Sequence, residues 1–302
     1  MPKVSVIVPN YNHAPYLERR LDSILGQTYQ DLEVILLDDC STDNSAEFLH
    51  RYQDNPKVSH VVVNEHNSGS TFKQWERGFA LAQGEYIWIA ESDDWCEKNL
   101  LETLVPALET DPTVTLSFCQ CQLIDDSGKK LYRTTLKATD EPVSGRDFVT
   151  RYMFGDMVIV NAGMAVFRKS ALVNIDQEYT TMRAVGDWRF WIEIALKGKV
   201  NISGELLAYC FRHSGTVTSA SVATGNDIAE GNRVFEAVLL KCQPTANEIE
   251  NALKQRIRIY LEQIPLYQSK AVQREAKRKV LSLHPSTKFL YYQILIKKCL
   301  SR

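Results

Sequence analysis

The stretch VSVIVPNYN at residues 4–12 opens an alternation of strand and helix signals that decides the fold. Similar apolar runs return at 32–38 (LEVILLD), 58–63 (VSHVVV) and 85–90 (EYIWIA), and helical patterns lie between them. This β-α-β-α-β-α-β order predicts parallel strands, and the nearly continuous apolar runs predict that both faces of the strands are covered. Right-handed crossovers between such strands produce an open, doubly wound sheet. We therefore expect an α/β protein with a Rossmann-like, mostly parallel central sheet flanked by helices.

Polar and acidic residues follow each of these four strands. They are PNYN at 9–12, DDCSTD at 38–43, a segment from Asn64 through Gly69, and ESDD at 91–94. In open α/β sheets, ligands bind beyond the carboxyl ends of the strands. The sequence therefore predicts one acid-rich crevice at this edge of the sheet.

The ESDD segment clusters three carboxylates directly after a buried strand. A Mg²⁺ or Mn²⁺ ion that bridges them to a diphosphate would offset their repulsion, and such ions typically use one or two carboxylates plus substrate phosphates. The alternative is that Asp94 caps a helix that starts near Trp95. Together with the other strand ends, the segment favours a metal site.

The end of the second strand has two interpretations. Asp38 and Asp39 can start a turn while Asp43 caps the next helix, or a strand-end acid can accept a hydrogen bond from a nucleobase or ribose. Tyr11, after the first strand, can pack against the protein or stack on a base. These residue types at this edge are typical of a nucleotide site.

Two further residues stand apart from the strand ends. Asp187, in Gly186-Asp187-Trp188, precedes an amphipathic helix and by itself is a good N-cap. His213 follows LLAYCFR and precedes a Ser/Thr/Gly loop, and a lone histidine there is more often a surface or core residue than a ligand. The residues alone leave both alternatives open.

The amino-acid composition limits which classes of protein this chain can belong to. The chain has 302 residues, 44% of them hydrophobic, so it can bury a large core. Seven cysteines without paired CxxC spacing favour a reducing compartment. We see no signal peptide and no apolar run long enough to span a bilayer, so we expect a cytoplasmic protein that is not integral to the membrane.

The last fifty residues differ in charge from the rest. Residues 251–302 hold twelve Lys and Arg against two Glu, whereas the whole chain has a net charge of −2. Helical spacing of apolar residues begins near Gly225. We therefore expect a catalytic domain at 1–222 and a basic, helical C-terminal region at 223–302.

Four ordered segments carry a family resemblance: VSVIVPNYN, LLDDCSTDNS, NSGSTFKQW and QGEYIWIAESDDW. In this order and spacing they resemble glycosyltransferase family 2, whose members have the GT-A fold, over about the first 110 residues. The resemblance implies a nucleotide-diphosphate-sugar donor, UDP by default, and a Mg or Mn cation. It implies Asp93 as the metal ligand of a DxD-type motif, and because Glu91 replaces the usual Asp, Asp94 becomes a plausible accessory ligand. By the same resemblance the donor contacts are Pro9, Tyr11, Asn12, Asp39, Lys73, Glu91 and Asp93.

The resemblance also assigns chemistry to the two separate residues. It makes Asp187 the general base that takes a proton from the acceptor hydroxyl in the inverting enzymes, and it places His213 near the metal or diphosphate. The QxxRW-type signature of processive synthases is absent from the sequence, which favours single addition. The expected acceptor is a saccharide or a lipid-linked saccharide in cell-surface polysaccharide synthesis.

The basic tail has two interpretations. Phe289, Tyr292, Ile296 and Leu300 share one helical face, with Lys288 and Lys297 nearby. The helix either packs on the protein or lies on the inner face of the cytoplasmic membrane, where basic residues meet anionic lipid. Nucleic-acid binding is disfavoured, because the aromatic residues lie among aliphatic ones and not among the charges.

Other functional classes lack their motifs. A sugar nucleotidyltransferase needs a glycine-rich phosphate loop after the first strand and a dinucleotide oxidoreductase needs GxGxxG there, but PNYNHAPYL contains no glycine. The spacing in LLDDCST does not match the DxDxT of haloacid-dehalogenase-like phosphatases. A non-catalytic module that binds a nucleotide sugar or a saccharide remains the alternative, if Asp187 is only a cap.

Overall fold

A computed structural model describes residues 2–212 and 217–300. The chain forms two compact units, and each is discontinuous in sequence. The sheet unit comprises Met1–Gly145, Ile159–Thr180 and Glu193–His213. The helical unit comprises Arg146–Val158, Thr181–Ile192 and Ser214–Arg302. Two internal segments thus belong to the helical unit, and the division into 1–222 and 223–302 stays a prediction.

The sheet unit is built on one mixed, mostly parallel sheet with the strand order β3-β2-β1-β4-β9-β6-β10-β5. The strand β7 pairs with β6 and β8 pairs with β10. The described strands are β1 Val4–Asn10, β2 Leu32–Asp38, β3 Val58–Val63, β4 Tyr86–Ile89, β5 Trp95–Cys96, β6 Val114–Asp125, β7 Lys130–Arg133, β8 Val143–Ser144, β9 Ala165–Arg168 and β10 Lys199–Arg212.

The predicted β-α-β-α-β-α-β order is confirmed for the first ninety residues. Every residue of β1, β2 and β4 is buried, as expected for strands covered on both faces. β1 lies parallel to β2 and to β4, and β2 lies parallel to β3. The parallel register brings the carboxyl ends of these strands to one edge.

The second half of the sheet departs from local sequence patterns. Of the apolar stretch at residues 157–167, only the end enters a strand, β9. This strand runs antiparallel between β4 and β6. β10 runs parallel to β6 over most of its length, with register shifts between Ile202 and Ala208. Such pairings join residues about fifty positions apart or more, so a local pattern does not predict them.

Helices cover the sheet and form the second unit. α1 buries Leu17, Arg20, Leu21 and Ile24 on one face, the spacing of an amphipathic helix. The described helices are α1 Ala14–Leu25, α2 Ser45–His50, α3 Thr71–Leu81, α4 Leu100–Thr110, α5 Gly145–Phe148, α6 Gly186–Ala195, α7 Val217–Thr224, α8 Asn226–Cys242, α9 Ala246–Gln263, α10 Lys270–Ser282 and α11 Thr287–Leu300.

In the helical unit, α10 packs on α8 and α9, and α11 packs on α9 and α10. α9 starts at a capping box: the Thr245 hydroxyl accepts from the Glu248 amide, and the Glu248 carboxylate accepts from the Thr245 amide. The predicted C-terminal helices are therefore confirmed. Within the described part of the chain, no helix combines the length and the apolar character that crossing a bilayer requires.

Candidate active site

The carboxyl ends of β1, β2 and β4 meet at one edge of the sheet unit. Asn10 lies opposite Asp38 in the parallel register. The Asp39 amide donates to the carbonyl of Asn10 at 2.9 Å, and the Ala90 amide donates to the carbonyl of Ile7 at 2.8 Å. The predicted convergence of the strand ends is therefore confirmed.

Asp38 joins the ends of β1 and β2. It is fully buried. Its carboxylate accepts from Asn10 Nδ2 at 2.7 Å, from the Ser41 hydroxyl at 2.6 Å and from the Ser41 amide at 2.8 Å. These bonds make Asp38 a structural residue of the crevice floor.

Asp39 organises the loop at 64–70. Its Oδ1 accepts from Asn64 Nδ2 at 2.6 Å, the Ser68 amide at 2.8 Å and Gln74 Nε2 at 2.8 Å, and its Oδ2 accepts from the Ser68 hydroxyl at 2.7 Å. The residue is only 4% exposed. Its contact with a nucleotide stays a prediction, and within the protein it fixes the loop that leads into α3.

The residues after β1 differ in how far they are open to solvent. Pro9 is buried within β1. Asn12 has a φ of +57°, and its Oδ1 accepts from the Thr42 amide at 2.7 Å, so it pins the two strand ends together. The Tyr11 ring is 45% exposed. Of these three, Tyr11 presents the larger accessible surface to a ligand.

Lys73 lies in the first turn of α3 and is exposed. Its Nζ donates to the carbonyl of Ser68 at 3.0 Å. The ammonium group thus sits on the same loop that Asp39 holds. An anion close to this loop would find a positive charge there.

Side chains of α3, of α1 and of the residue before α1 contact the ESDD segment after β4. Trp75 Nε1 donates to Glu91 at 2.9 Å, and Ser92 Oγ lies 2.8 Å from Nδ1 of His13. Arg19 donates to the carbonyl of Asp93 at 3.3 Å, and the Asp93 side chain is half-buried. The backbone of this segment is therefore fixed from the α1 side.

Asp94 is buried, and both of its oxygens accept hydrogen bonds. Oδ1 accepts from the Phe211 amide at 2.8 Å, and Oδ2 accepts from Nδ2 of Asn161. Asp94 thus ties the end of β4 to β10 and to the segment before β9. These contacts favour a positioning role for Asp94, and its accessory metal contact stays a prediction.

The carboxylates after β4 repel one another electrostatically, which raises their pKa values. Burial, together with the charge of Asp93, raises the pKa of Glu91 to about 8 and holds the pKa of Asp94 above its usual range. The Trp75 indole N–H and the charge of Arg20 oppose the rise at Glu91 only in part. A cation at this strand end would relieve the repulsion.

Arg20 is a residue of this site that the sequence analysis missed. Its side chain is 1% exposed, and its guanidinium lies 5.0 Å from the centroid of the Trp88 ring. Its Nε and Nη2 find no hydrogen-bond acceptor among the described residues. A Cβ on Gly163 would lie 3.0 Å from Nη2, so glycine leaves room for the guanidinium. A sequence signal existed, because Arg20 falls on the buried face of α1.

Of the predicted metal ligands, Asp93 fits a cation whose coordination is completed by substrate. Among residues 2–212 and 217–300, no three His, Cys, Asp or Glu side chains come together as a metal cage. A half-buried carboxylate at Asp93 within a crowded acidic segment is compatible with one carboxylate plus diphosphate oxygens. His213, the third predicted ligand, lies outside the described residues.

Asp187 belongs to the helical unit. It lies in the first turn of α6, which begins at Gly186, and its Oδ1 accepts from the Trp188 amide at 2.8 Å. Trp188 is buried, and its Nε1 donates to the carbonyl of Met153 at 2.8 Å. The half-buried Asp187 carboxylate is therefore bonded to the backbone of a residue whose side chain is anchored in the helical unit.

The glycosyl transferase family 2 model matches residues 5–175, more than half of the chain, and the chain belongs to this family. It is 45% identical over 103 residues to the glycosyltransferase GlyG of Streptococcus pneumoniae, a match that covers 33% of each protein. The chain therefore aligns with about a third of the length of GlyG.

Solved structures show the same fold. The crystal structure of Staphylococcus aureus TarS 1–349 in complex with UDP-GlcNAc has a TM-score of 0.65 at 19% identity, covering 96% of this chain and 92% of that one. The mannosyltransferase PcManGT of Pyrobaculum calidifontis, in complex with GDP-Man and Mn²⁺, has a TM-score of 0.54 at 20% identity, covering 96% and 83%. The fold is thus the GT-A fold.

Proposed function

We propose that this glycosyltransferase inverts the anomeric carbon as it transfers a sugar from a nucleotide-diphosphate donor, with UDP-sugar favoured. The acceptor is a hydroxyl of a saccharide or a lipid-linked saccharide in cell-surface polysaccharide synthesis. One observation carries the proposal. The exposed Tyr11 ring follows β1, Lys73 follows the loop after β3, and the acidic segment at 91–94 follows β4 at the same edge of the sheet. A nucleoside diphosphate with its cation has complementary chemistry.

On the donor side, each role follows from exposure and charge. The exposed Tyr11 ring stacks on the nucleobase, and the pyrimidine of the UDP-GlcNAc in TarS supports UDP as the first choice. Asp39 and Asn12 line the base and ribose position next to Pro9, and Lys73 directs its charge at the phosphates. Glu91, which follows β4 at the same edge, is the remaining proposed donor contact.

Asp93 is the proposed metal ligand, and Asp94 and His213 are accessory candidates. A bound Mg²⁺ or Mn²⁺ would offset the charge that develops on the departing nucleoside diphosphate. The Mn²⁺ in the PcManGT complex supports this choice of ion. The Asp93 carboxylate would hold that ion, and the Arg19 contact fixes the Asp93 backbone carbonyl.

Asp187 is the proposed general base. It takes the proton of the acceptor hydroxyl as that oxygen bonds to the anomeric carbon and the bond to the diphosphate breaks. A carboxylate in the first turn of a helix stays ionised more easily, because the helix N-terminus is positive. Attack from the face opposite the leaving group inverts the configuration.

Calorimetric titration tests the donor site. UDP, dTDP and GDP are titrated with and without Mn²⁺ into the wild type, Asp93→Ala and the exposed control Asp54→Ala. We expect metal-dependent binding of one nucleotide that Asp93→Ala loses and Asp54→Ala keeps. If none of the three nucleotides bound, the result would contradict the proposal.

A second assay separates the enzyme from a non-catalytic nucleotide-sugar or saccharide-binding module. The donor that binds is incubated with the wild type and Asp187→Asn, and NMR follows donor hydrolysis and transfer to saccharide acceptors. The enzyme releases sugar of inverted anomeric configuration, and Asp187→Asn loses that activity while it still binds donor. Donor binding without any turnover would favour the module.

The exposed face of α11 supports peripheral contact with an anionic membrane. Leu290 and Tyr291 are buried within the helical unit, whereas Phe289, Tyr292 and Ile296 are 66%, 58% and 59% exposed. Basic residues near anionic lipid contribute about 1 kcal/mol each. We therefore propose that the protein works at the inner face of the cytoplasmic membrane.

Vesicle sedimentation tests the membrane contact. Wild type is expected to sediment with vesicles that contain anionic lipid and not with neutral ones. A triple variant, Phe289→Ser, Tyr292→Ser and Ile296→Ser, leaves the buried residues in place and is expected to stay in the supernatant. Equal sedimentation of the two proteins would contradict a role for this face.

A further inference from the structure

The loop before α6 is held by one carboxylate from a distant helix. In the helical unit, Glu230 of α8 accepts from the Arg183 amide at 2.9 Å, from the Ala184 amide at 2.8 Å and from the Val185 amide at 3.1 Å. These three amides precede the helix, which begins at Gly186, so α6 offers them no intrahelical partner. A single half-buried side chain thus orders three consecutive residues.

A second contact from α8 meets the same loop. Arg233, three residues after Glu230 and on the same helical face, donates to the Thr181 hydroxyl at 3.3 Å. α8 itself is anchored, because the Phe235 ring stacks on Phe154 with centroids 4.5 Å apart. The loop therefore contacts a helix that is itself anchored within the helical unit.

We infer that Glu230 is a positioning residue: it fixes the loop at 183–185 and thereby the orientation of Asp187 two residues later. The inference rests on the proposed role of Asp187 as general base. Gly186, the first residue of α6, has no side chain to restrict its backbone, and the Val185 carbonyl before it accepts from the Arg189 amide at 3.2 Å. Reacting groups that move by about 1 Å can lose about 100-fold in rate.

A carboxylate suits this role better than an amide does. An ionised Glu has two acceptor oxygens and no donor, so it can accept from all three amides. Its charge strengthens these bonds and is favourable beside the positive N-terminus of α6. A Gln at 230 would point an N–H₂ group at one or two backbone N–H groups and lose those contacts.

The test compares Glu230→Gln, Glu230→Asp and Asp187→Asn in the full chain. Glu236→Gln is the matched control, because Glu236 is an exposed acid on the same helix and loses the same charge. Two readouts are measured: the exchange rates of the backbone amides at 183–185, and kcat together with KM for the donor. Thermal unfolding is recorded for each variant.

We expect Glu230→Gln to speed exchange by about 10-fold or more, either at 183 or at 184 and 185, and to lower kcat by about 10- to 100-fold. KM for the donor should stay within about twofold of wild type, since the contacts lie outside the donor crevice residues. Glu230→Asp should recover part of both losses. Glu236→Gln should match wild type in every readout.

Wild-type exchange and wild-type kcat in Glu230→Gln would overturn the inference. So would a loss that raises the donor KM as much as it lowers kcat, because that pattern reports general destabilisation. Full activity of Asp187→Asn would instead remove the base assignment and, with it, the catalytic part of the inference. Amide exchange would then still decide whether Glu230 holds the loop.

Discussion

The carboxylates that follow β2 and β4 lie at one edge of the same sheet, yet their surroundings are opposite. Asp39 accepts four hydrogen bonds from donors in its loop and in α3. Glu91, by contrast, accepts a hydrogen bond from the Trp75 indole N–H, and its pKa is raised to about 8. The first group is satisfied by the protein, whereas the second is crowded by neighbouring charge.

This difference indicates a division of work within the crevice. A carboxylate that is surrounded by donors stabilises the fold, because each charge-assisted bond contributes more than a neutral one. A cluster of buried carboxylates costs folding free energy until a cation arrives. We therefore expect substitution of Asp39 to change stability and substitution of Asp93 to change activity.

The largest expected effect is at Asp93. Asp93→Asn should lower kcat by about 10²- to 10³-fold, because it removes the proposed ligand of the cation that stabilises the leaving group. The melting temperature should not fall, since the variant removes a charge that raises the pKa of Glu91. Steady-state kinetics and thermal unfolding check the two statements against Asp54→Asn, and a kcat within twofold of wild type would contradict the first.

Arg20→Met should give the next largest effect, on stability. The variant removes the buried positive charge that lowers the pKa of Glu91 and Asp94, and leaving buried charge uncompensated costs about 3 kcal/mol. Urea denaturation at neutral pH measures the loss. Adding Glu91→Gln should restore part of it, and the exposed control Arg51→Met should change the free energy of unfolding by less than about 0.5 kcal/mol. If the losses of Arg20→Met and Glu91→Gln were additive in the double variant, that would argue against an electrostatic interaction between the two side chains.

Asp39→Asn should cost about 2 kcal/mol of folding free energy. The amide keeps one acceptor for the donors at Oδ1 but loses the charge, so its hydrogen bonds weaken. Chemical denaturation of the variant gives the value, and amide exchange in residues 64–70 should rise with it. If Asp39→Asn were as stable as wild type and only weakened nucleotide binding, then Asp39 would be a ligand contact first.

A smaller, pH-dependent effect is expected at Glu248, a satisfied carboxylate of the helical unit. Burial opposes its ionisation, but the Thr245 amide, the Thr150 hydroxyl and the Arg146 guanidinium outweigh it and lower its pKa to about 2. The lowered pKa contributes stability above about pH 4.5 that is lost as the pH falls towards 2.

Glu248→Gln should therefore destabilise the protein by about 1 kcal/mol at neutral pH, a value reduced for solvent screening. The difference from wild type should shrink between about pH 4.5 and 2. Denaturation curves across this range measure it, with Glu250→Gln as the control on the same helix. A difference that stays constant with pH would argue against the ionic contribution.

Much of the sheet unit was predictable, because its signals are local. Buried apolar runs and helical spacing in the first ninety residues gave the β-α-β order, and the parallel register then placed the strand ends together. β9 was not predictable in the same way. Its four residues, Ala165–Arg168, acquire their identity as a strand from β4 and β6 on either side.

The candidate site was predictable as a set of positions but not as a set of contacts. Tyr11 and Asp93 were identified from their places after strands, and the structure locates both at that edge. The four donors to Asp39 and the partners of Asp94 come from far along the chain, so no local pattern contained them. Glu230 was missed for the same reason, whereas Arg20 had a local signal in its place on the buried face of α1.

The sequence by itself determined the family, the order of strands and helices, and the acidic character of the crevice, because these depend on neighbouring residues and on spacing. The tertiary structure decided which carboxylates are satisfied and which are crowded. It also decided that a helix after residue 225 supplies the acceptor for the loop before Asp187. Hydrogen bonds and burial depend on residues that meet only after folding, and these set the charge and mobility of each side chain.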